Sequence, residues 1–403
     1  MKPLTEVLGP LRYHREVLDY LKSEERDLWT WFSSEKVRAE YAESVRLDLL
    51  KSTYRLEREA HPDLYRLADR ANEALGLGIP LTLYQAQGGS GMNAALAYIP
   101  GEAHLMLVGP VATTLTPDEI VAVVAHELTH YLFWKEWGGE YHVADQVLLA
   151  IANHSRAEPS HRQTARRFRL YTELFADRGS LFVTGSPLVS IAGLVKIDTG
   201  LKDANPESYL RQAEEILGKG ASGTEEETHP EMFLRARALQ LWAQKGAEAE
   251  PEIARILEGE AALDALDLLG QKRLADRTRR LLSLLLAPRW FRTPSVLAHA
   301  RMFFEGFEPS DAPSDEGLFA ELETPDQKLR DYLAYLLLDF ASADPDLEDA
   351  PLAMAFSLAE RLKLSDRLEE LVNKDLGVAK RQAAKVRREW ARILSEAAKE
   401  PAP

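Results

Sequence analysis

Two histidines four residues apart, His126 and His130, enclose a glutamate in the run His126-Glu127-Leu128-Thr129-His130. On a helix, residues at that spacing share a face, so both imidazoles reach toward a single ion. Glu127 then stands beside that face, where its carboxylate meets a metal-held water rather than the metal. Metal-assisted peptide hydrolysis needs that combination. The chain contains no cysteine, so thiolate ligands and disulfides are excluded and any metal site is made of His, Asp and Glu.

The third ligand is expected at Glu173, in Tyr171-Thr172-Glu173-Leu174-Phe175-Ala176-Asp177. A helix is predicted from about Gln163 to Val183, ending at Gly185, with Phe168, Tyr171, Phe175 and Phe182 on one face and Glu173 and Asp177 on the other. One carboxylate would bind metal while the second accepts a proton from a ligand histidine and fixes its tautomer. Taken alone, the same pair also suits a solvated face near Arg166 and Arg169; the preceding histidine motif favours the ligand reading.

The elements that must hold these groups are also legible. Thr116-Pro117-Asp118-Glu119 writes a helix start as a capping residue, a first-turn proline and a capping-box glutamate. The helix continues through both histidines to Gly138-Gly139. Ile120, Val124, Leu128 and Tyr131 are expected to form an apolar stripe opposite the histidines. Before it, Pro80–Ala86, Met92–Ile99 and Ala103–Val108 read as short strands, bounded by turn signals at Gly88-Gly89 and Pro100-Gly101. The remainder is helical. The predicted fold is α+β and mostly helical, with a small sheet beside the histidine helix. Residues 92–99 are a candidate edge on which a peptide could lie as an added strand.

In order, these features resemble the HtpX and CAAX-prenyl-endopeptidase family of gluzincin metallopeptidases, over about residues 75–240. The resemblance rests on Asn93-Ala94 in an apolar strand, the AHELTH run, and Glu173 with Asp177 in an LFAD segment. It continues through Ser186–Ile197 to Thr228-His229-Pro230 with Arg235 beyond. It implies a zincin-like catalytic domain with one Zn2+ held by His126, His130 and Glu173, and Glu127 as general base. Asp177 would steady a ligand histidine, and His229 and Arg235 would border the substrate or stabilise the oxyanion. Read without the resemblance, Thr228-His229-Pro230 also suits a helix start and Arg235 a surface position. Many family members are integral membrane proteins; this chain shows no spanning segment, so membrane-embedded or prenylated substrates are not expected. Leu336–Leu364 bears a weaker resemblance to TerB-type helical modules. Its acidic residues, Asp344, Asp346, Glu348 and Asp349, lack the EF-hand pattern and read as an exposed loop with no metal assigned.

The formal net charge of −15, from 64 acidic and 49 basic residues, disfavours a nucleic-acid backbone or an anionic membrane as partner. With no secretory h-region visible, a soluble cytoplasmic protein is expected. Lys245–Pro251 and Glu308–Gly317 read as linkers, dividing the chain into an N-terminal helical segment (1–74), a catalytic domain (75–245) and helical regions at 252–306 and 318–403. The dense charge of residues 379–399 reads as a solvated helix. His142, His154 and His161 read as surface or loop histidines, and Trp134 and Trp137 as packing residues. The expected activity is a zinc-dependent endopeptidase acting on a peptide or protein. The alternative is a catalytically silent, zinc-stabilised interaction or regulatory protein that binds a partner through its C-terminal helical region.

Overall fold

The computed structural model describes residues 7–87, 91–219, 231–259, 263–311, 313, 317–323, 326–376 and 380–399, with 35–41 described by backbone alone. Two compact units are present, Met1–Glu260 and Ala261–Pro403. In the first, α1 (Arg12–Glu24), α2 (Arg26–Phe32) and α3 (Glu35–Ser52) lead to β1 (Thr53–Arg55) and α4 (Pro62–Ala74). Strands β2 (Leu81–Ala86), β3 (Asn93–Ile99) and β4 (Glu102–Val108) follow, then a short α5 (Val111–Thr114). Next come α6 (Pro117–Lys135), α7 (Glu140–Asn153), α8 (Pro159–Thr184), α9 (Pro187–Thr199), α10 (Pro206–Gly218), α11 (Met232–Lys245) and α12 (Glu250–Glu258). The fold is α+β and mostly helical, as expected.

Among the described residues there is one sheet, of order β1-β2-β4-β3, with β2 and β4 parallel and the other pairs antiparallel. Three strands lie where the alternating apolar runs placed them. The fourth, β1, is only three residues long and exposes two of them, so it carries no readable alternation. The expected turn at Gly88-Gly89 lies outside the described residues. At the β3–β4 turn Gly101 has φ +92°, and its N–H donates to the Tyr131 hydroxyl at 2.9 Å, tying the hairpin to α6. That leaves β3 at the sheet edge, against the histidine helix.

Helix α6 starts as its sequence dictates. The Glu119 N–H donates to Thr116 Oγ1, and the Thr116 N–H donates to Glu119 Oε2 at 2.8 Å. Ile120, Val124, Leu128 and Tyr131 are buried as expected, and the anchoring extends beyond that stripe. Every residue from Glu119 to Phe133 is buried, so no single apolar stripe holds it. The cause is enclosure: β3, α4, α8 and α9 all pack around it. Lys196 of α9 adds a buried ion pair, with Nζ 2.8 Å from Glu119 Oε2.

Helices α6 and α8 cross closely. A Cβ on Gly179 would lie 1.8 Å from Thr129 Oγ1, so only glycine lets the two backbones approach this far. Thr129 sits between the two motif histidines and is fully buried, its hydroxyl donating to the Ala125 carbonyl at 2.6 Å. Helix α8 ends at Gly185, whose φ of +65° caps it in the left-handed conformation. Phe168, Tyr171 and Phe175 are buried, whereas Phe182 is 40% exposed and does not join them as expected. It lies in the last turn, beyond the aromatic cluster.

Other expectations need revision. Residues 245–251 are not a linker: Gly246–Ala249 form a 3-10 turn with Ala249 buried, and α12 begins at Glu250. Pro251 is tolerated there as a first-turn residue. His142 lies within α7 and is buried, its ring against Tyr98 and Trp134, because the helix turns that face toward β3.

The second unit is helical throughout its described residues: α13 (Leu268–Leu285), α14 (Pro294–Phe303), α15 (Leu318–Leu322), α16 (Gln327–Ala341), α17 (Ala350–Arg361), α18 (Ser365–Asp375) and α19 (Lys380–Ala397). Leu281, Phe291, Phe340, Phe356 and Leu371 are core residues. The solvated final helix of the sequence reading is instead amphipathic. Ala383 and Val386 are buried and Trp390 and Ile393 pack on the core, hidden in the sequence by the surrounding charges. In the acidic loop, Asp344 accepts hydrogen bonds from the Asp346 N–H and the Thr293 hydroxyl, and Asp349 accepts from Gln382. Among the described residues, no helix is long and apolar enough to cross a membrane.

Candidate metal centre

His126 and His130 project from consecutive turns of α6 toward Glu173 of α8. The two Nε2 atoms are 3.3 Å apart, His126 Nε2 is 3.4 Å from Glu173 Oε2, and His130 Nε2 is 3.6 Å from Glu173 Oε1. Tetrahedral bonds of about 2.0–2.1 Å have ligand–ligand edges of about 3.3 Å, and the two imidazoles meet that spacing while the Glu173 carboxylate offers one oxygen to each at slightly longer range. Two imidazole lone pairs and a carboxylate aimed at one point repel each other unless a cation or proton lies among them. Among the described residues, this is the one group of three or more His, Asp or Glu side chains arranged to hold a metal ion. These residues can hold one.

The support behind the ligands is buried too. Asp177 Oδ1 is 2.9 Å from His126 Nδ1, which directs His126 to donate from Nδ1 and leaves Nε2 for the ion. Arg235, from α11, donates Nε–H to Asp177 Oδ2 at 2.8 Å and a terminal N–H to Oδ1 at 2.7 Å. That terminal nitrogen also lies 3.6 Å from Glu173 Oε2. The Arg235 guanidinium and the hydrogen bond from His126 overcome the cost of burial and hold the Asp177 carboxyl below the usual range.

In the metal-free protein, burial lowers the affinity of His126 for a proton, but hydrogen bonds to Asp177 and Glu173 outweigh it and raise its pKa to about 10. Burial leads the other way at His130, lowered to about 4 despite Glu173 nearby. One imidazole thus carries the proton that a cation would displace. The Nδ1 of His130 is buried with no hydrogen-bond partner among the described residues, and its ring stacks on Trp134 with centroids 5.6 Å apart.

Glu127 is buried beside the ligands. Desolvation raises its pKa to about 7, assisted by Glu173 and opposed by His126, the Leu96 backbone hydrogen bond and Arg235. A carboxylate poised near neutrality suits a general base.

All of these groups open onto one cleft of about 420 Å³, walled on one side by residues 93–96 of β3 and on the other by α6, α8 and α9. His126, Glu127, His130, Glu173, Asp177 and Arg235, named from the sequence, all line it. His229 lies outside the described residues, as do Thr228 and Pro230. The sequence reading missed Trp134, Asp145 and Arg169 as cleft residues. Helical spacing alone was the available signal: Trp134 is one turn beyond His130, and Arg169 one turn before Glu173. Comparison with protein-family models, curated proteins and solved structures finds no match for this chain.

Proposed function

We propose that this chain is a zinc-dependent endopeptidase of the gluzincin type, related to the HtpX and CAAX-prenyl-endopeptidase family. One observation supports the reading: two imidazole Nε2 atoms on α6 stand 3.3 Å apart, each within 3.6 Å of one oxygen of the Glu173 carboxylate on α8, with the Glu127 carboxylate in the same cleft. A site built only to brace the fold has no use for that fourth, carboxylate-bearing side chain.

His126, His130 and Glu173 would hold one Zn2+, which when bound supplies Lewis acidity and lowers the pKa of water. Glu127 takes the proton as water attacks the peptide carbonyl, and returns it to the leaving amine. The Leu96 backbone, on β3, favours the ionised form of that base. Asp177 keeps His126 in the tautomer a ligand needs, and Arg235 acts through Asp177 as a positioning residue. The peptide would lie along β3, whose edge position and cleft-facing residues 93–96 suit an added strand.

The experiment is digestion of an unbiased peptide library by the zinc-loaded chain beside its Glu127→Gln variant. Cleavage by the native protein alone, at equal zinc content, is the expected result. Equal digestion by both, or none by either, overturns the peptidase reading; the second outcome favours a zinc-stabilised interaction protein.

A further inference from the structure

Two charged side chains of the cleft have no part in that mechanism. Asp145 comes from α7 and Arg169 from α8, and both line the cavity that holds the ligand triad. Their place follows from the antiparallel run of α6 and α8. Asp177 meets His126, and Glu173 lies between His126 and His130, so descending α8 corresponds to ascending α6. One further turn brings Arg169 to the level of Trp134. Asp145, Arg169 and Trp134 therefore wall the His130 end of the cleft. The opposite end, beyond His126, is lined by Ala122, Val123, Leu194 and Ile197. Ser180 and Ser190 also line that end but hydrogen-bond each other at 2.9 Å, so the cleft is mainly apolar at one end and charged at the other.

Of the two charges, the carboxylate is the less satisfied. The Asp145 side chain is 21% exposed, and its nearest cation, Arg169 Nε, is 4.0 Å from Oδ1, too far for a hydrogen bond. Among the described residues no hydrogen bond reaches the Asp145 carboxylate. Burial pushes its pKa upward, and Arg169 opposes that. Arg169 is 39% exposed and shares its charge with water. An entering ammonium or guanidinium would give the carboxylate the donors it lacks, while the more solvated Arg169 swings aside.

We infer that Asp145 is a specificity-determining residue, selecting peptides with a lysine or arginine side chain on the His130 side of the scissile bond and an apolar residue on the other. This rests on the peptidase reading for its substrate class, but its test does not require turnover.

The zinc-loaded Glu127→Gln protein is titrated with peptide sets identical except for lysine, norleucine or glutamate at each position in turn. At one position, lysine peptides are expected to bind about tenfold tighter than norleucine peptides. Adding Asp145→Asn should erase that ratio, Asp145→Glu should keep part of it, and Arg169→Gln should increase it. Circular dichroism and zinc content establish that each variant is folded and loaded. The inference is overturned if no position distinguishes lysine from norleucine, if no peptide binds, or if the ratio survives Asp145→Asn. A glutamate preference lost with Arg169→Gln overturns it equally, assigning the subsite to anions. If charge-dependent binding holds but the native protein cleaves nothing, the peptidase reading fails and the subsite stands.

Discussion

Arg235 grips Asp177 through two parallel hydrogen bonds, at 2.8 and 2.7 Å, and the gripped carboxylate in turn lies 2.9 Å from His126 Nδ1. A guanidinium fork matches a carboxylate in a way an ammonium does not. The relay fixes His126 through Nδ1, leaving Nε2 to face His130 and Glu173. Arg235→Lys is therefore expected to weaken zinc affinity by about 10–100-fold, and Asp177→Asn by a similar factor. Competition with a chromophoric chelator measures both. Unchanged affinity in the two variants would remove Asp177 as the group that orients His126.

Glu127→Gln separates holding the metal from using it. Zinc content should stay at about one per chain, because the side chain is no ligand. Peptide cleavage should fall by at least about 10²–10⁴-fold, the usual worth of a positioned general base. Elemental analysis and initial rates on one preparation check the pair. Loss of zinc in this variant would place Glu127 among the ligands.

The close crossing of the two site helices makes Gly179 intolerant. Gly179→Ala places a methyl 1.8 Å from the Thr129 hydroxyl oxygen, so the helices must separate. A loss of about 1–3 kcal/mol or more is expected, together with weaker zinc binding as Glu173 moves away from the histidines. Gly193→Ala is the contrast. Its Cβ would meet the Glu119 carbonyl and Val123 at 3.6 Å, ordinary contact, so helix propensity should make it neutral or up to about 1 kcal/mol stabilising. Thermal melts of the two variants test this directly.

His14 gives the fold an acid sensitivity. It is fully buried, ringed by Phe133, Phe168 and Phe175, and its Nε2 lies 3.3 Å from the Thr172 hydroxyl. Burial lowers its pKa from 6.5 to about 3. The unfolded chain thus takes up this proton first, so the stability is present above about pH 6.5 and is lost as pH falls toward 3. By pH 4.5 the loss from this residue amounts to roughly 2–3 kcal/mol. Urea unfolding at pH 7 and 4.5 should show a smaller acid penalty in His14→Phe than in the native chain. Equal penalties would mean that His14 is not kept neutral.

The His126–His130–Glu173 group was legible because its signals are local. A capping box, a proline at the first turn and histidines four apart all lie within one helix. Glu173 and Asp177 were readable by the same spacing on the next long helix. What escaped depends on how separate elements meet. Asp145 belongs to α7, and only the fold brings it beside Arg169 at the end of the cleft. His142 looked like a surface group because nothing nearby in sequence announces that Tyr98 and Trp134 cover it. Nothing local in the sequence marks Gly179, because Thr129, which stands against it, belongs to another helix. The amphipathic face of α19 was masked by its charge density, although Ala383, Val386, Trp390 and Ile393 follow helical spacing.

Asp177 and Arg235 are separated by 58 residues, and His126 and Arg235 by 109. An unfolded chain therefore has no assembled set of donors, and the support behind His126 is complete only when α11 packs behind α8. Any ion the triad takes must favour the assembled state by mass action, by about 2.7 kcal/mol when free metal is a hundredfold above its dissociation constant. Withdrawal of such an ion would then take that stabilisation away from the folded chain.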